Sequence, residues 1–492
     1  MKRLGGRWVA AVVGLGALTL VTAFFWEGQA EAASPDAPRL PGTQVNSPLA
    51  LRIYVQMEET GRPECVGSTP SDATIKIPAC YDWWVEAAKD TTTKMLADAI
   101  RQGAISRIKL GPTAGDNDLA QLKGLKALRG LNLAGTQVTD AGLKHLKTMT
   151  DLQSLSLEGT RVTDAGLAHL KDLKALRRLN LETTRVTDAG LAHLKGLKAL
   201  QRLNLWNTQV TDAGLQRLKG VKGLQRLCLG AHVSDAGLVH LKGLKALQRL
   251  DLWGTRVTDA GLAHLKGLKG LRELWLQGMK VTDAGLQHLK GLTALRVLNL
   301  ARTQVTDAGL QHLKGMTNLQ RLNLCQTKVA DAGLEHLKGM KHLHRLGLRH
   351  TQVTDEGLVH LKDMKDLRRL KLCQTKVKET GLEHLKGMKH LHRLGLEHAP
   401  VTDAGLVHLK GLEGLQRLKL SHTRVTDEGL VHLKGLKGLR RLELARTKVT
   451  DAGLAHLKGL KDLQRLNLQH TKVTDEGVKA LEQTLSNCRI LH

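Results

Sequence analysis

Thirteen of the 23 histidines share one position of a recurring sequence unit: His145, His169, His193, His240, His264, His288, His312, His336, His360, His384, His408, His432 and His456. Imidazole ligates metals and titrates near neutrality, so such a row could hold a metal or sense pH. Recurrence argues against both, because a position filled alike in unit after unit serves the fold, and function belongs to the positions that vary. A second set is His350, His398, His422 and His470, of which His398 and His422 fall in adjacent units. No carboxylate or thiolate completes a recognisable ligand set there. The six cysteines divide in two. Cys65 and Cys80 lie together outside the repeats and could pair in an oxidising compartment. Cys228, Cys325, Cys373 and Cys488 are scattered, without CxxC or zinc-ligand spacing, and read as free thiols. The chain is expected to hold no metal and no cofactor.

Two sets of outward positions carry more. Each unit contains a Leu-x-Leu whose flanking and separating residues point away from the leucines. One such column holds Arg178, Arg202, Arg226 and Arg249, and resumes with Arg321, Arg345, Arg369, Arg393, Arg417, Arg441 and Arg465, with Glu273 and Val297 in the gap. Either these are consensus arginines meeting nearby carboxylates, or they line an anion-binding groove, since guanidinium suits carboxylate, sulfate and phosphate bidentately. The second set is aromatic. Beyond residue 85 the only aromatic residues are Trp206, Trp253 and Trp275, and all three map to outward positions. Trp253 and Trp275 are expected as diagonal neighbours on adjacent strands. Trp206 lies two strands away, with Cys228 between, and Asp251 and Glu273 lie nearby. Exposed Trp beside Arg is the composition of a binding hot spot.

The elements that position these residues repeat every 24 residues from about Ile105. In Leu200-Gln-Arg-Leu203-Asn-Leu205 the leucines alternate as on a strand with one buried face. Val210-Thr211-Asp212-Ala-Gly-Leu215-Gln-Arg-Leu218 has helical spacing. Thr211 suits the N-cap, Asp212 suits the helix dipole, and Val210 with Leu215 forms a hydrophobic staple. A Lys-Gly pair such as Lys195-Gly196 matches a glycine C-cap. Units start at Leu128, Leu152, Leu176, Leu200 and Leu224, then from Leu247 to Leu463, after a degenerate one at Ile105, which gives about 16. A lone unit cannot bury its leucines, but stacked units bury them between a parallel sheet and a layer of helices.

L-x-x-L-x-L followed by a short helical segment resembles the leucine-rich-repeat family. The V-T-D-x-G-L element is most similar to the cysteine-containing subclass that follows F-boxes, and to tandem repeats in large bacterial proteins. The resemblance spans roughly residues 105 to 490. It implies an α/β solenoid: a horseshoe with a parallel concave β-sheet, short helices on the convex side, and a role as an interaction module. The chain departs by placing Thr after the strand, as at Thr136, Thr160, Thr184 and Thr208, where many members have Asn or Cys. A threonine hydroxyl can still satisfy a turn backbone group. No F-box-like helical segment precedes the repeats, so a ligase role is not carried over.

Outside the repeats, residues 1–32 read as a signal peptide or N-terminal anchor. Met1-Lys2-Arg3 and Arg7 are basic, Trp8 to Phe25 is apolar, and Ala30-Glu31-Ala32 forms an A-x-A site. Residues 33–48 read as a linker and 49–104 as an N-terminal cap, in which Asp82 to Gln102 looks helical. The repeats run over 105–485 and a C-terminal cap over 486–492. The expected location is therefore exported: periplasmic, cell-envelope or secreted, with membrane attachment only through an uncleaved N-terminal segment. The formal net charge is +28, which favours acidic partners unless the repeat consensus alone accounts for it. The chain contains no P-loop, HExxH or G-x-S-x-G, and no small-molecule substrate is expected. The sequence thus reads as a non-enzymatic scaffold for protein–protein interaction through its concave face. The alternatives are a binder of anionic polymer, such as acidic polysaccharide or nucleic acid, through the arginine tracts, or a structural spacer of the cell envelope.

Overall fold

The computed structural model describes residues 92–103 and 105–492, preceded by the strands Thr43–Val45, Leu51–Gln56, Glu64–Thr69, Ile75–Ile77 and Asp82–Ala87. The proposed signal segment and the pairing of Cys65 with Cys80 lie outside the described residues. The chain divides into two compact units, one ending at Arg226 and the other beginning at Leu227.

In the first unit, each repeat contributes one three-residue strand to a parallel sheet. Arg178–Asn180 pairs with Arg202–Asn204 so that Leu179 faces Leu203 and each arginine faces the next. After the strand, Thr184 turns its hydroxyl back to the Leu181 carbonyl at 2.6 Å, and Thr160 and Thr208 do the same in their repeats. The threonines thus satisfy a buried turn acceptor, as the sequence implies. A short helix follows, Asp188–Leu191, and tightens into a 3₁₀ turn, Ala192–Leu194. Thr211 caps its helix by accepting from the Ala213 amide.

The glycine C-cap does not form. Gly196 is not among the glycines with positive φ. The 3₁₀ turn ends the helix instead, with the Leu197 amide donating to the Leu194 carbonyl. A different constraint explains this glycine: a Cβ there would stand 3.0 Å from the Lys174 amine. In the second unit the equivalent lysines donate to these glycine carbonyls. Lys245 reaches Gly267 at 3.1 Å and Lys269 reaches Gly291 at 3.0 Å. The consensus lysine therefore supplies a cation to the carbonyl end of the neighbouring helix. That gives part of the positive charge a structural origin.

Two further expectations change in the segment before the repeats. Asp82–Ala87 is a strand and only Thr93–Arg101 is a helix. Trp84 and Val85 favour a pleated, half-buried surface. Their strand pairs antiparallel with Leu51–Gln56 and parallel with Arg107–Lys109, so the sheet continues from this segment into the repeats. Thr43–Val45, inside the expected linker, pairs antiparallel with Ile75–Ile77.

The second unit repeats this plan through the strand Arg465–Asn467, which pairs in parallel with a last strand, Arg489–Leu491. Its core is a stack of leucines. Leu274, Leu298 and Leu418 are fully buried, and so are the helix-side leucines at each level. A carboxylate joins successive repeats. Asp283 accepts the Thr306 amide at 2.8 Å on one oxygen and the Thr306 hydroxyl at 2.6 Å on the other. The same two bonds run from Asp427 to Thr450 and from Asp451 to Thr474. The helix glycine packs on this carboxylate, and a Cβ at Gly309 would lie 2.2 Å from the Asp283 oxygen.

The joint is incomplete at Ala330, whose amide donates to Asp307 at 2.7 Å but which has no hydroxyl for the second oxygen. Ala330→Thr is expected to stabilise this level by about 1 kcal/mol. Amides of the helix Asp331–Glu335 should then exchange with solvent about fivefold more slowly. Unchanged exchange would mean that the second bond adds nothing to the joint.

Candidate binding surface

The side chains that flank and separate the strand leucines lie on the sheet face opposite the core. In the first unit this face is held by a hydrogen-bonded ladder. Asn204 donates to Glu182 at 2.7 Å and accepts the Trp206 amide at 3.0 Å, and Asn180 donates to Glu158 at 3.1 Å. Burial raises the Glu158 carboxyl above its ordinary range, against the opposing Asn180 bond and Lys109 charge. Arg178 and Arg202 stand in register beside this ladder and Arg226 is buried. Trp206 is half-buried at its end.

Nearer the start of the same unit is an aromatic group that sequence reasoning left in the cap. The Tyr54 and Trp84 rings stack with centroids 6.2 Å apart. Glu86 accepts the Trp84 indole N–H at 3.2 Å and the Lys109 amine at 2.8 Å. The signal was available: in Asp-Trp-Trp-Val-Glu-Ala, strand alternation puts Trp84 and Glu86 on one face.

In the second unit, Arg249 stands opposite Glu273 and Glu273 opposite Val297, while Asp251 stands opposite Trp275 and Trp275 opposite Asn299. The arginine column is thus interrupted by an acid and an apolar residue, as the sequence indicates. Burial corrects one expectation. Trp275 is not exposed; only 1% of its surface is accessible. The Arg249 guanidinium lies over its ring, 5.1 Å from the centroid, and pairs with Glu273 at 3.4 Å. The indole N–H of Trp275 and the side-chain oxygen of Gln277 are buried without a hydrogen-bond partner. Trp253 remains half-buried, its amide held by Asp251 at 3.0 Å. The carboxylate at the separating position therefore does for Trp253 what Asn204 does for Trp206.

Further along the second unit, Arg321, Arg345, Arg369 and Arg393 stand in one register, which Arg417, Arg441, Arg465 and Arg489 continue. Beside them lies a network that the sequence did not reveal. The Cys373 thiol donates to Glu397 at 3.0 Å, and Lys419 donates to the other oxygen at 3.1 Å. Burial, reinforced by Glu397, pushes the Cys373 thiol up to about 12. Burial opposes ionisation of Glu397, yet the thiol bond and Lys419 hold that carboxyl below its usual range. A thiol so raised is a packed hydrogen-bond donor rather than a nucleophile. Cys325, which burial also raises, lies over Gly347 as Cys373 lies over Gly395. A sequence signal marked both: Leu-Cys-Gln-Thr-Lys-Val occurs at 324–329 and again at 372–377.

The histidines are arranged as repetition implies. All thirteen of the helix row are half-buried. His398 and His422 stack with centroids 3.9 Å apart and planes 20° apart, in the left-handed turn position with φ of 58° and 60°. Their in-plane nitrogen lone pairs then lie in nearly parallel planes and do not converge. Among the described residues, no three His, Cys, Asp or Glu side chains are grouped to hold a metal ion. At the edge of the arginine column, His344 and His392 titrate below their ordinary value, first through burial and then through Arg368, which lies between them in the strand order.

Comparison with known proteins agrees with this architecture. The family model described as Leucine Rich repeat matches residues 291–313, 339–361, 415–433 and 460–481. No curated protein matches the chain. Among solved structures, an internalin from Listeria monocytogenes is 23% identical, with a TM-score of 0.50 over 75% of this chain and 94% of that one. A leucine-rich-repeat protein of Leptospira interrogans is 22% identical, with a TM-score of 0.50 over 82% of this chain and all of that one. The mouse RP105/MD-1 complex gives 18% identity and a TM-score of 0.53 over 79% of this chain and 75% of that one. With the repeat matched at four places and the parallel-strand, short-helix plan in both units, this chain carries leucine-rich repeats and the fold that they build.

Proposed function

We propose that the protein is an exported, non-enzymatic scaffold that binds a protein partner through the outward face of its sheet. The observation that carries this reading is the placement of the aromatic residues in the repeats. Every one lies on the outward face of its own unit's sheet, Trp206 in the first unit and Trp253 and Trp275 in the second, and none lies on the helix side. Aromatic and arginine anchors dominate binding energy at protein interfaces. In the second unit Trp253 is the accessible anchor and Trp275 is the floor beneath Arg249. The mouse RP105/MD-1 structure that shares the fold is itself a complex, which fits this use of the repeat.

The test is a pull-down from the exported fraction with wild type, Trp253→Ala and Trp206→Ala, each first checked for native circular dichroism. Truncating an anchor is expected to cost about 2 kcal/mol of binding, or roughly thirtyfold in affinity. A specific partner should therefore be lost with one or both variants. The same partners retained at the same strength by both would remove the tryptophans from the site. Mass spectrometry of the mature N-terminus tests export: a start at Ala33 is expected, and an intact Met1 in the soluble fraction would contradict it.

A further inference from the structure

The eight arginines from Arg321 to Arg489 occupy one position on eight consecutive parallel strands of the second unit. Parallel strands are about 4.8 Å apart, so the guanidinium groups form a ladder on the order of 34 Å long. Lys371, Lys419 and Arg349 add to it, while the only carboxylates at the outward positions of these strands are Glu397 and Glu443. Glu397 is already engaged by Cys373 and Lys419. Whatever ion pairs form along these strands, cations outnumber acids and the surface keeps an excess of positive charge. The depressed titration of His392, whose causes after burial include Arg368, Arg369 and Arg393, reports the resulting positive field.

We propose that this ladder binds a linear acidic polysaccharide of the polyuronate class, laid across the strands so that its carboxylates pair with guanidinium groups along the ladder. Charge density and pairing geometry favour this occupant. A uronate chain carries one carboxylate on every sugar ring, so it brings a dense line of negative charge to a ladder with one guanidinium on every strand. Guanidinium pairs bidentately with a planar carboxylate, which a ladder of lysines would not do. The competing polymers fit less well. An acidic peptide would have to immobilise a long, rotamer-rich side chain for each pairing, a cost that carboxylates fixed on sugar rings do not incur. Single-stranded nucleic acid is held by aromatic stacking platforms, and the sequence has no aromatic residue after Trp275. The proposal stands independently of the tryptophan reading, since it uses other strands and other side chains.

The experiment is a titration of the full chain with end-labelled polygalacturonate, followed by fluorescence anisotropy at two salt concentrations. Neutral dextran, polyglutamate and a single-stranded oligonucleotide serve as competing probes. The ladder variant is Arg369→Gln/Arg393→Gln/Arg417→Gln. The control, Lys410→Gln/Lys434→Gln/Lys458→Gln, removes the same charge from exposed lysines on the helix side of the same unit. Polygalacturonate is expected to bind at low salt and weaken as salt rises. The ladder variant should lose at least about tenfold in affinity and the control less than about twofold. Equal losses in both variants, polyglutamate or oligonucleotide binding as tightly as polygalacturonate, or no binding at low salt would each overturn the proposal. If the triple variant does not fold, Arg393→Lys/Arg417→Lys replaces it. That variant keeps the charge and removes the fork, so binding should weaken severalfold, and unchanged binding would overturn the bidentate ladder.

Discussion

Gly309→Ala is expected to destabilise the second unit by about 2 kcal/mol, opposite in sign to what helix propensity predicts. Alanine is favoured over glycine inside a helix by about 1 kcal/mol, so a freely exposed Gly309 would gain stability from the change. The new methyl group instead meets the Asp283 oxygen at 2.2 Å and the Asp283 Cα at 3.2 Å. That oxygen cannot swing away without breaking its bond to the Thr306 amide, and its twin is fixed by the Thr306 hydroxyl. Hydrogen bonds to a charged acceptor contribute about 1.5–3 kcal/mol each, which outweighs the propensity gain. A double-mutant cycle with Asp283→Ala separates the two effects. Asp283→Ala alone should cost about 2 kcal/mol, and in its background Gly309→Ala should be neutral or slightly stabilising, giving a coupling of about 2 kcal/mol. Amide exchange of the helix Asp307–Leu310 reads the result locally, which suits a chain whose repeats need not melt together. Additive effects would show that the glycine is not there to admit the carboxylate.

Glu273→Ala should be more damaging, at about 3 kcal/mol. Arg249 and Glu273 approach to 3.4 Å with side chains only 6% and 5% exposed. Exposed ion pairs are worth about 0–1 kcal/mol, whereas removing one partner from a buried pair costs about 3–5 kcal/mol because a charge is left in a poor dielectric. Burial decides between the two figures. The double variant Arg249→Leu/Glu273→Leu removes both charges, and Val297 already occupies this column on the next strand in a buried setting. It should lie within about 1 kcal/mol of wild type. Urea unfolding followed by tryptophan fluorescence is a suitable probe, because Trp275 lies directly beneath Arg249. A loss below about 1 kcal/mol for the single variant would mean that water reaches the pair.

The repeat architecture was legible because two periods alternate inside each 24-residue unit and each is backed by its own turn chemistry. The Thr211 cap, the Val210–Leu215 staple and the strand leucines all point to one register, and the structure adopts it. Asp82–Ala87 misled because a short apolar run has no period that separates helix from strand, and only pairing with Leu51–Gln56 decides. Gly196 misled because the lysine of the preceding repeat, invisible in a local window, occupies the space beside it. At the candidate surface, the columns of arginine and tryptophan could be read from register alone. The burial of Trp275 could not, since it depends on how the Arg249 side chain folds over its neighbour. Nor could Cys373–Glu397–Lys419, which joins three repeats at separations of 24 and 22 residues.

The Asp–Thr joint has a consequence for how such a chain can grow. Because most levels present the same carboxylate upward and the same amide and hydroxyl downward, a level can be spliced out or copied without designing a new contact. The stretch 334–348 recurs letter for letter at 382–396, and 324–329 recurs at 372–377, both two levels further on, so that Cys325, Gly347 and His344 correspond to Cys373, Gly395 and His392. Interchangeable joints thus let the length of the arginine ladder change by whole levels, while each residue of the outer face stays free to change alone.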